Sequence, residues 1–444
     1  MDFTPHTDAD VAGMLATLEL DSVDDLFAHL PPGVRVEGDL ELPAPLSELE
    51  VMRLVDAFGR RNRRDLVCFA GGGIYDHHLP PVVRSLTMRP EFVTAYTPYQ
   101  PEVSQGVLQA LYEYQSMICA LTGLDVANAS LYDGATAAVE AMNLAVAATG
   151  RSCIWVSRLV APAVRAALAT FAGARDIEIV EVPSVGGGTA WSAGSGPPPA
   201  ALVFGQPNYL GVVEEYAAVV GTARDAGALA IAVVDPISLG LLTTPGAAGC
   251  DAAVAEGQPL GNPMSFGGPL LGVLATTRAH VRRLPGRLIG RTLDADGRTA
   301  YVMTLRTREQ DIRREKASSN ICTNQSLNAI AACIHMAWLG PRGLRATAEQ
   351  SAHKAHYLSR LLTAIDGVEP AVPAPFVREF GVLLPIDPRT VLAGMAERGF
   401  LAGIALDGDY PEFPGGLLVA VTERRTREEI DGYAAALQEV IADG

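Results

Sequence analysis

Ala228-Leu229-Ala230-Ile231-Ala232-Val233-Val234-Asp235-Pro236 is an uncharged apolar run that ends in a carboxylate and a proline. Continuous apolar sequence, rather than strict alternation, predicts a strand buried on both faces, as in a parallel sheet. Asp235 then stands at the carboxyl end of that strand, where open α/β sheets bind their ligands. The pattern repeats at Ala252–Ala255, which runs into Glu256-Gly257-Gln258-Pro259-Leu260 and then the glycine-rich Phe266-Gly267-Gly268-Pro269-Leu270-Leu271-Gly272.

On either side, the runs Cys153–Val156, Ile177–Val182, Ala201–Phe204 and Leu270–Ala275 alternate with helical segments at Thr136–Ala147, Ala161–Phe171 and Glu214–Ala226. Strands of this kind separated by helices imply a mostly parallel sheet covered on both faces. Upstream, Val107, Leu111, Tyr114, Ile118 and Leu121 recur in steps of four and three, one face of a long amphipathic helix. Residues 1–65 predict a helical arm. Thr7 offers an N-cap for a first helix, Val23–His29 a second, stopped by Pro31-Pro32, and a third follows Ser47. The segment Gly186–Pro199 reads as a loop. After Asn320 the pattern turns helical, with a further helix at Ala348–Ile365. Strands Gly381–Ile386 and Leu417–Thr422 and helices Pro388–Arg398 and Thr426–Ile441 complete the chain. The expected organisation is α/β: an N-terminal helical arm and loop (1–95), a large α/β domain (96–320) and a small C-terminal α+β domain (321–444).

Of the 444 residues, 49% are hydrophobic and 19% charged, which fits a globular chain and excludes a disordered or fibrous one. Acidic side chains outnumber basic ones by 50 to 34, for a formal charge of −16, and such a field repels phosphate backbones. No nucleic-acid partner is expected. The apolar runs are too short to cross a bilayer, and Met1-Asp2-Phe3-Thr4 does not resemble an export signal, so a soluble, cytoplasmic protein without membrane contact is expected. Six cysteines without CxxC spacing read as reduced, buried thiols. The histidines show no HExxH, and His77-His78 is their only close pair, so no metal site is expected. Lysine occurs only at Lys316 and Lys354. Arginine stays protonated and cannot form an imine, so chemistry that needs an amine has two candidates.

The run Ala129-Ser130-Leu131-Tyr132-Asp133-Gly134-Ala135-Thr136 opens a helix. Its backbone N–H groups either hold an anionic group or simply start that helix. The sequence of strand, Asp235, second strand and glycine-rich segment resembles the large domain of aspartate-aminotransferase-like (fold type I) pyridoxal phosphate enzymes. The resemblance implies an Asp on the pyridine nitrogen and a Schiff-base lysine ahead of the glycine-rich strand. Here Gln258, Pro259 and Leu260 occupy the lysine's segment, and no catalytic residue is assigned. Gly134, Thr136 and Asp235 then outline a vestigial cofactor pocket. Lys316, in a charged run, and Lys354, in mid-helix, follow no strand.

Longer motifs narrow the resemblance. They are Tyr96-Thr97-Pro98-Tyr99-Gln100-Pro101-Glu102-Val103-Ser104-Gln105-Gly106, Thr122–Ser130, Thr307-Arg308-Glu309-Gln310 and Ser319-Asn320-Ile321-Cys322-Thr323-Asn324-Gln325. Together they resemble the P-protein family of the glycine cleavage system, within it the subunit 1 (alpha) branch of the two-subunit glycine dehydrogenase (decarboxylating). The similarity runs from Pro5-His6-Thr7 through Gly73-Ile74-Tyr75-Asp76-His77 to Val421-Thr422-Glu423-Arg424-Arg425-Thr426. It implies an α2β2 assembly with a homologous beta subunit that carries pyridoxal phosphate and its lysine, with no cofactor covalently bound to this chain. It also implies the reaction: glycine loses CO2 and its aminomethyl group passes to lipoylated H-protein.

Tyr96, Tyr99, Gln100, Glu102 and Ser104 either face a substrate or interface cleft, or the tyrosines cap a core edge. Asn320, Thr323, Asn324 and Gln325 either line the same cleft or cap the following helix. Arg308, with Arg313 and Arg314, either holds anionic groups or pairs with Glu309 and Glu315. Three positions depart from the family pattern: Asp311 stands where His or Tyr is more frequent, Arg306 where Gln is expected, and Gly72 where Ala is usual. Two other readings share the fold, an inert scaffold and a paralogue specialised for another amino acid or carrier; Asp311 and Arg306 are the hints of the latter.

Overall fold

Capping boxes start the first two long helices. Thr7 and Asp10 exchange hydrogen bonds at the head of α1 (Asp8–Leu18), and Ser47 and Glu50 do so at the head of α2 (Glu48–Arg60). Between them Val23–Phe27 is a short 3-10 turn rather than the helix expected over 23–29. The computed structural model describes residues 5–31, 33–36, 38, 40–193, 196–317 and 319–443, so Pro32 and two positions of the 186–199 loop lie outside it. By contacts the chain divides into Met1–Arg64 and Asp65–Gly444. Residues 65–95, grouped with the arm in the sequence reading, are tied into the larger unit. Val67–Cys68 pairs in parallel with Phe400–Leu401, and Phe69 is fully buried against Tyr433.

The central sheet contains β1 (Val126–Ala127), β2 (Cys153–Ser157), β3 (Glu178–Val182), β4 (Ala201–Gln206), β5 (Leu229–Val234), β6 (Ala252–Glu256) and β7 (Gly272–Thr276), in the order β1-β7-β6-β5-β4-β2-β3. From β3 to β6 every pairing is parallel; β7 runs antiparallel to both β6 and β1. Each strand feeds two cores. Leu202, Phe204, Ala230 and Ala232 pack with α3 (Gln105–Thr122), while Ala201, Val203 and Ile231 pack with α4 (Gly134–Thr149). Burial on both faces is the physical reason the strands read as uninterrupted apolar runs.

α5 (Ser326–Leu362) is one long element in which Gly340 breaks the helical geometry (φ 60°, ψ 177°) just before Pro341. Its first half, at Ala329, Ile330 and Cys333, belongs to the α3-side core. Its last turns, at Ala355, Leu358 and Leu362, belong to the core of the C-terminal part. The helix is thus common to both cores, and the border expected at 320/321 does not separate them. The C-terminal sheet joins β8 (Glu369–Pro370), β9 (Glu379–Leu383), β10 (Ile404–Ala405) and β11 (Gly416–Ala420) in the antiparallel order β8-β9-β11-β10. It is backed by α6 (Pro388–Glu397) and α7 (Arg427–Asp443), through Val391, Met395, Tyr433 and Leu437.

Among the described residues, no helix is long and apolar enough to cross a membrane. None of the His, Cys, Asp and Glu groupings there could hold a metal ion. Cys153, Cys250 and Cys333 are buried as expected, but Cys322 is exposed: it lies in an irregular segment before α5 and not in an apolar strand.

Candidate active site

A cavity of about 420 Å³ opens at the carboxyl ends of β4, β5 and β6, with Ile74, Leu159, Val164, Val233, Pro236 and Leu270 among its apolar walls. Gly134, Asp235 and Pro259 line it, as do Tyr75, Glu256 and Glu379. Two close approaches shape its floor. A Cβ on Gly134 would meet the Glu256 backbone N at 2.7 Å, and one on Gly272 would meet the Asp133 carbonyl at 2.5 Å, so the start of α4 lies directly on the ends of β6 and β7.

That arrangement decides where the helix donors point. Gly134 N–H donates to Glu256 Oε2 (2.9 Å), while Gln258 N–H (2.9 Å) and Leu271 N–H (3.0 Å) donate to Oε1. Asp133 caps Thr136 N–H at 2.8 Å, and Thr136 Oγ1 accepts the Asp133 N–H, so Thr136 closes the helix end. Burial pushes the Glu256 carboxyl up to about 7 against the pull of those three N–H groups.

The second acid of the pocket is also engaged. Asp235 accepts from Arg378 Nη2 at 2.6 Å, in an ion pair whose guanidinium is only 3% exposed, and from the Ser238 hydroxyl. The Arg378 guanidinium lies 3.6 Å above the Tyr75 ring centre and donates to His77 Nε2. His77 must therefore be neutral, with Nδ1–H donated to Glu423 at 2.5 Å. Burial, then the Arg378 charge, lowers the imidazole; although burial opposes it, the His77 contact holds Glu423 down to about 2. Next to this chain, Glu379 accepts from Gly72 N–H (2.7 Å) and Tyr75 O–H (2.8 Å), and burial raises it to about 7.

Gln258, in the lysine's expected segment, is buried and clamps the Tyr75 backbone. Its Oε1 accepts Tyr75 N–H at 3.0 Å, and Nε2 donates to the carbonyls of Tyr75 (3.2 Å) and Asn262 (2.9 Å). Leu260 is fully buried in the core. Neither lysine reaches the cavity: Lys316 is exposed in a 3-10 turn and Lys354 Nζ donates to the Glu423 carbonyl. A phosphorylated aldehyde cofactor needs an amine, free N–H donors and an available carboxylate. These residues do not fit it.

A second cluster forms around Arg287, which is 2% exposed. It donates to Asn324 Oδ1 (3.2 Å), Tyr99 O–H (3.3 Å) and the Cys322 carbonyl (2.8 Å). Arg287 and Arg306 each place a guanidinium 5.7 Å from the Tyr99 ring centre. Asn324 Nδ2 donates to the Ala129 carbonyl and Ser130 Oγ, both at 2.9 Å, which ties this cluster to the segment leading into α4. Of the expected cleft residues, Tyr99 and Asn324 are brought together through Arg287. Arg308 donates to the Leu305 and Gly286 carbonyls, and the Glu309 carboxylate acts on it through its charge without a hydrogen bond. Tyr96 is 74% exposed, and Gln100, Glu102 and Asn320 are exposed too, on the same irregular segments but outside the hydrogen-bonded cluster. Ser104 and Thr323 are half-buried; Ser104 precedes α3 without a side-chain cap bond. Two of the three departures from the family pattern pair with each other, Arg306 Nη2 to Asp311 at 2.9 Å. At Gly72 φ is +72°, so another residue there carries backbone strain, while the Ile404 Cδ1 that its Cβ would meet at 2.6 Å is the movable end of a side chain.

The sequence reading missed Arg287, Arg378 and Glu379. Phe376-Val377-Arg378-Glu379-Phe380 carries a signal, two opposite charges inside an otherwise apolar run. Arg287 carries none beyond an arginine ahead of Leu288-Ile289.

Compared with known proteins, the family model described as glycine cleavage system P-protein matches residues 1–437. The chain belongs to this family. The probable glycine dehydrogenase (decarboxylating) subunit 1 of Moorella thermoacetica is 49% identical to it over 445 residues, covering 100% of each chain. The like-named protein of Chlorobium limicola is 46% identical, over 98% of this chain and 99% of that one. A crystal structure described as glycine decarboxylase (P-protein) of the glycine cleavage system, in inhibitor-bound form, superposes with a TM-score of 0.87 at 45% identity, covering 99% of this chain and 100% of that one. A NifS-like protein from Rickettsia africae shares the fold alone, with a TM-score of 0.64 at 12% identity over 85% of this chain and all of that one. The fold is that of the PLP-dependent transferases of fold type I, as the strand order suggested.

Proposed function

We propose that this chain is the alpha subunit of a two-subunit glycine decarboxylase, the P-protein of the glycine cleavage system. A homologous beta subunit in an α2β2 assembly carries pyridoxal phosphate. The observation that carries the reading is a P-protein fold whose cavity has no lysine on its walls, in a chain matched end to end by proteins named subunit 1. The cofactor held by the beta subunit supplies the electron sink for decarboxylation of glycine, and lipoylated H-protein accepts the aminomethyl group. The setting is the cytoplasm.

On this chain, Tyr96, Tyr99, Gln100, Glu102 and Ser104, with Arg308, Asn320, Thr323 and Asn324, form the cleft that meets the beta subunit. Arg287 and Asn324 hold Tyr99 in place from behind, and the exposed Tyr96, Gln100 and Glu102 are free to exclude water and to orient substrate or lipoyl arm. Gly134, Thr136 and Asp235 remain as the vestige of a cofactor pocket.

Reconstitution with the beta subunit tests this. Exchange of the glycine carboxyl with labelled bicarbonate, and an absorption band of the bound cofactor, are expected in the mixture and not in this chain alone. A cofactor band and CO2 release from this chain by itself would overturn the reading.

A further inference from the structure

We propose that Glu256 replaces the anionic group of a ligand: its carboxylate occupies the anion site at the amino end of α4, and the cavity beside it refuses phosphorylated molecules. The inference goes beyond the subunit assignment and does not depend on which polypeptide carries the cofactor.

A helix N-terminus with small residues around it binds anions because its first N–H groups have no partners within the helix. Here the site is built, and it is filled by the protein. α4 has 16 residues, and its Gly134 N–H converges with those of Gln258 and Leu271 on a single carboxylate from the end of β6. Glycines make the convergence possible. Besides the contacts at Gly134 and Gly272, a Cβ on Gly257 would meet the Leu271 side chain at 2.8 Å and its carbonyl at 3.0 Å. An incoming phosphate would find the Gly134 and Thr136 donors taken and a like charge beside them.

The end of the neighbouring strand repeats the arrangement with the sign reversed. Asp235, which would otherwise be free to pair with a cationic ligand group, is neutralised by the buried Arg378. Both acids are therefore engaged from within, and the cavity they line is about 420 Å³ of mainly apolar space.

The experiment uses the full chain at pH 8, where the Glu256 carboxyl is mostly ionised, and the unreactive probes pyridoxine, pyridoxine 5′-phosphate and inorganic phosphate, followed by calorimetry and 31P NMR. Wild type is expected to bind pyridoxine 5′-phosphate no more tightly than pyridoxine. E256A is expected to gain saturable one-to-one phosphate binding, with affinity for pyridoxine 5′-phosphate rising at least ~10-fold, or about 1.4 kcal/mol. Preference of wild type for the phosphorylated probe by ~10-fold or more would overturn the proposal, as would folded E256A without any gain. If E256A does not fold, the wild-type comparison and E256Q, which keeps the volume and removes the charge, decide the question by the same criteria. Failure here leaves turnover by the reconstituted complex untouched, so the two readings can fail separately.

Discussion

Glu379 and Glu256 are buried acids whose carboxyls are raised from the ordinary value of 4.5 to about 7, chiefly by burial. An acid with a raised folded pKa binds more protons folded than unfolded between those two values. Its contribution to stability is therefore full below about pH 4.5 and is lost as pH rises through 7. Glu423, held at about 2, works in the opposite window: its contribution is present above pH 4.5 and is lost as pH falls towards 2. Denaturant titrations from pH 5 to 8.5 should show a downward trend that E379Q reduces; an unchanged slope in E379Q would contradict the assignment. At Arg287 the argument is one of lost partners. R287A removes the donor shared by the Asn324 side-chain carbonyl, which keeps only the Ser326 hydroxyl, the Tyr99 hydroxyl and the Cys322 carbonyl, at an expected cost of ~2–4 kcal/mol. Hydrogen exchange should quicken at 96–104 and 320–325 while the central strands keep their protection. Arg306 and Asp311, which look like a charge intrusion when read one at a time, offset each other, so R306Q/D311H should change stability by less than ~1 kcal/mol.

Among the elements, α5 and α4 carry the most consequence for their neighbours. Gly340 interrupts α5 at a positive φ, and a Cβ there would meet no atom within 4 Å, so G340A isolates backbone strain from packing. We expect it to cost ~1–2 kcal/mol. Gly134 is the contrasting case. Its φ is ordinary, but the Cβ of G134A would press on the backbone of Glu256, an overpacking cost of ~1–3 kcal/mol that should also dislodge the carboxylate. Periodicity made α3, the parallel strands and the long C-terminal helix legible, because each buries an apolar face or both faces over many residues. It did not reveal that the second helical stretch of α5, expected from Ala348, begins directly after the break at Gly340. Nor did it foretell the antiparallel course of β7, since burial on both faces looks the same in either direction.

For the whole molecule, the decisive connection is the chain Asp235–Arg378–His77–Glu423, which joins the end of β5 to the start of β9 and to the segment after β11. R378A leaves the half-buried Asp235 without its counter-charge and should lose ~3 kcal/mol, whereas the double replacement D235L/R378M should lose distinctly less, measured by chemical denaturation. The arm behaves differently. Its helices α1 and α2 bury no side chain, so in the chain alone their amides should exchange much faster than those of α3 and α4.

The sequence by itself determined the alternation of strands and helices, the caps of the arm, the lack of a lysine in the cavity segment and the family, because each is written in local order and spacing. Only the tertiary structure decided the partners: that Glu256 takes the Gly134 N–H at the head of α4, that Arg378 silences Asp235, and that Arg287 holds Tyr99 to Asn324. Those pairs lie 122, 143, 188 and 37 residues apart along the chain. Local pattern carries no record of which charges burial will force together, since that is settled when the sheet, the helix ends and the C-terminal strands close on one another.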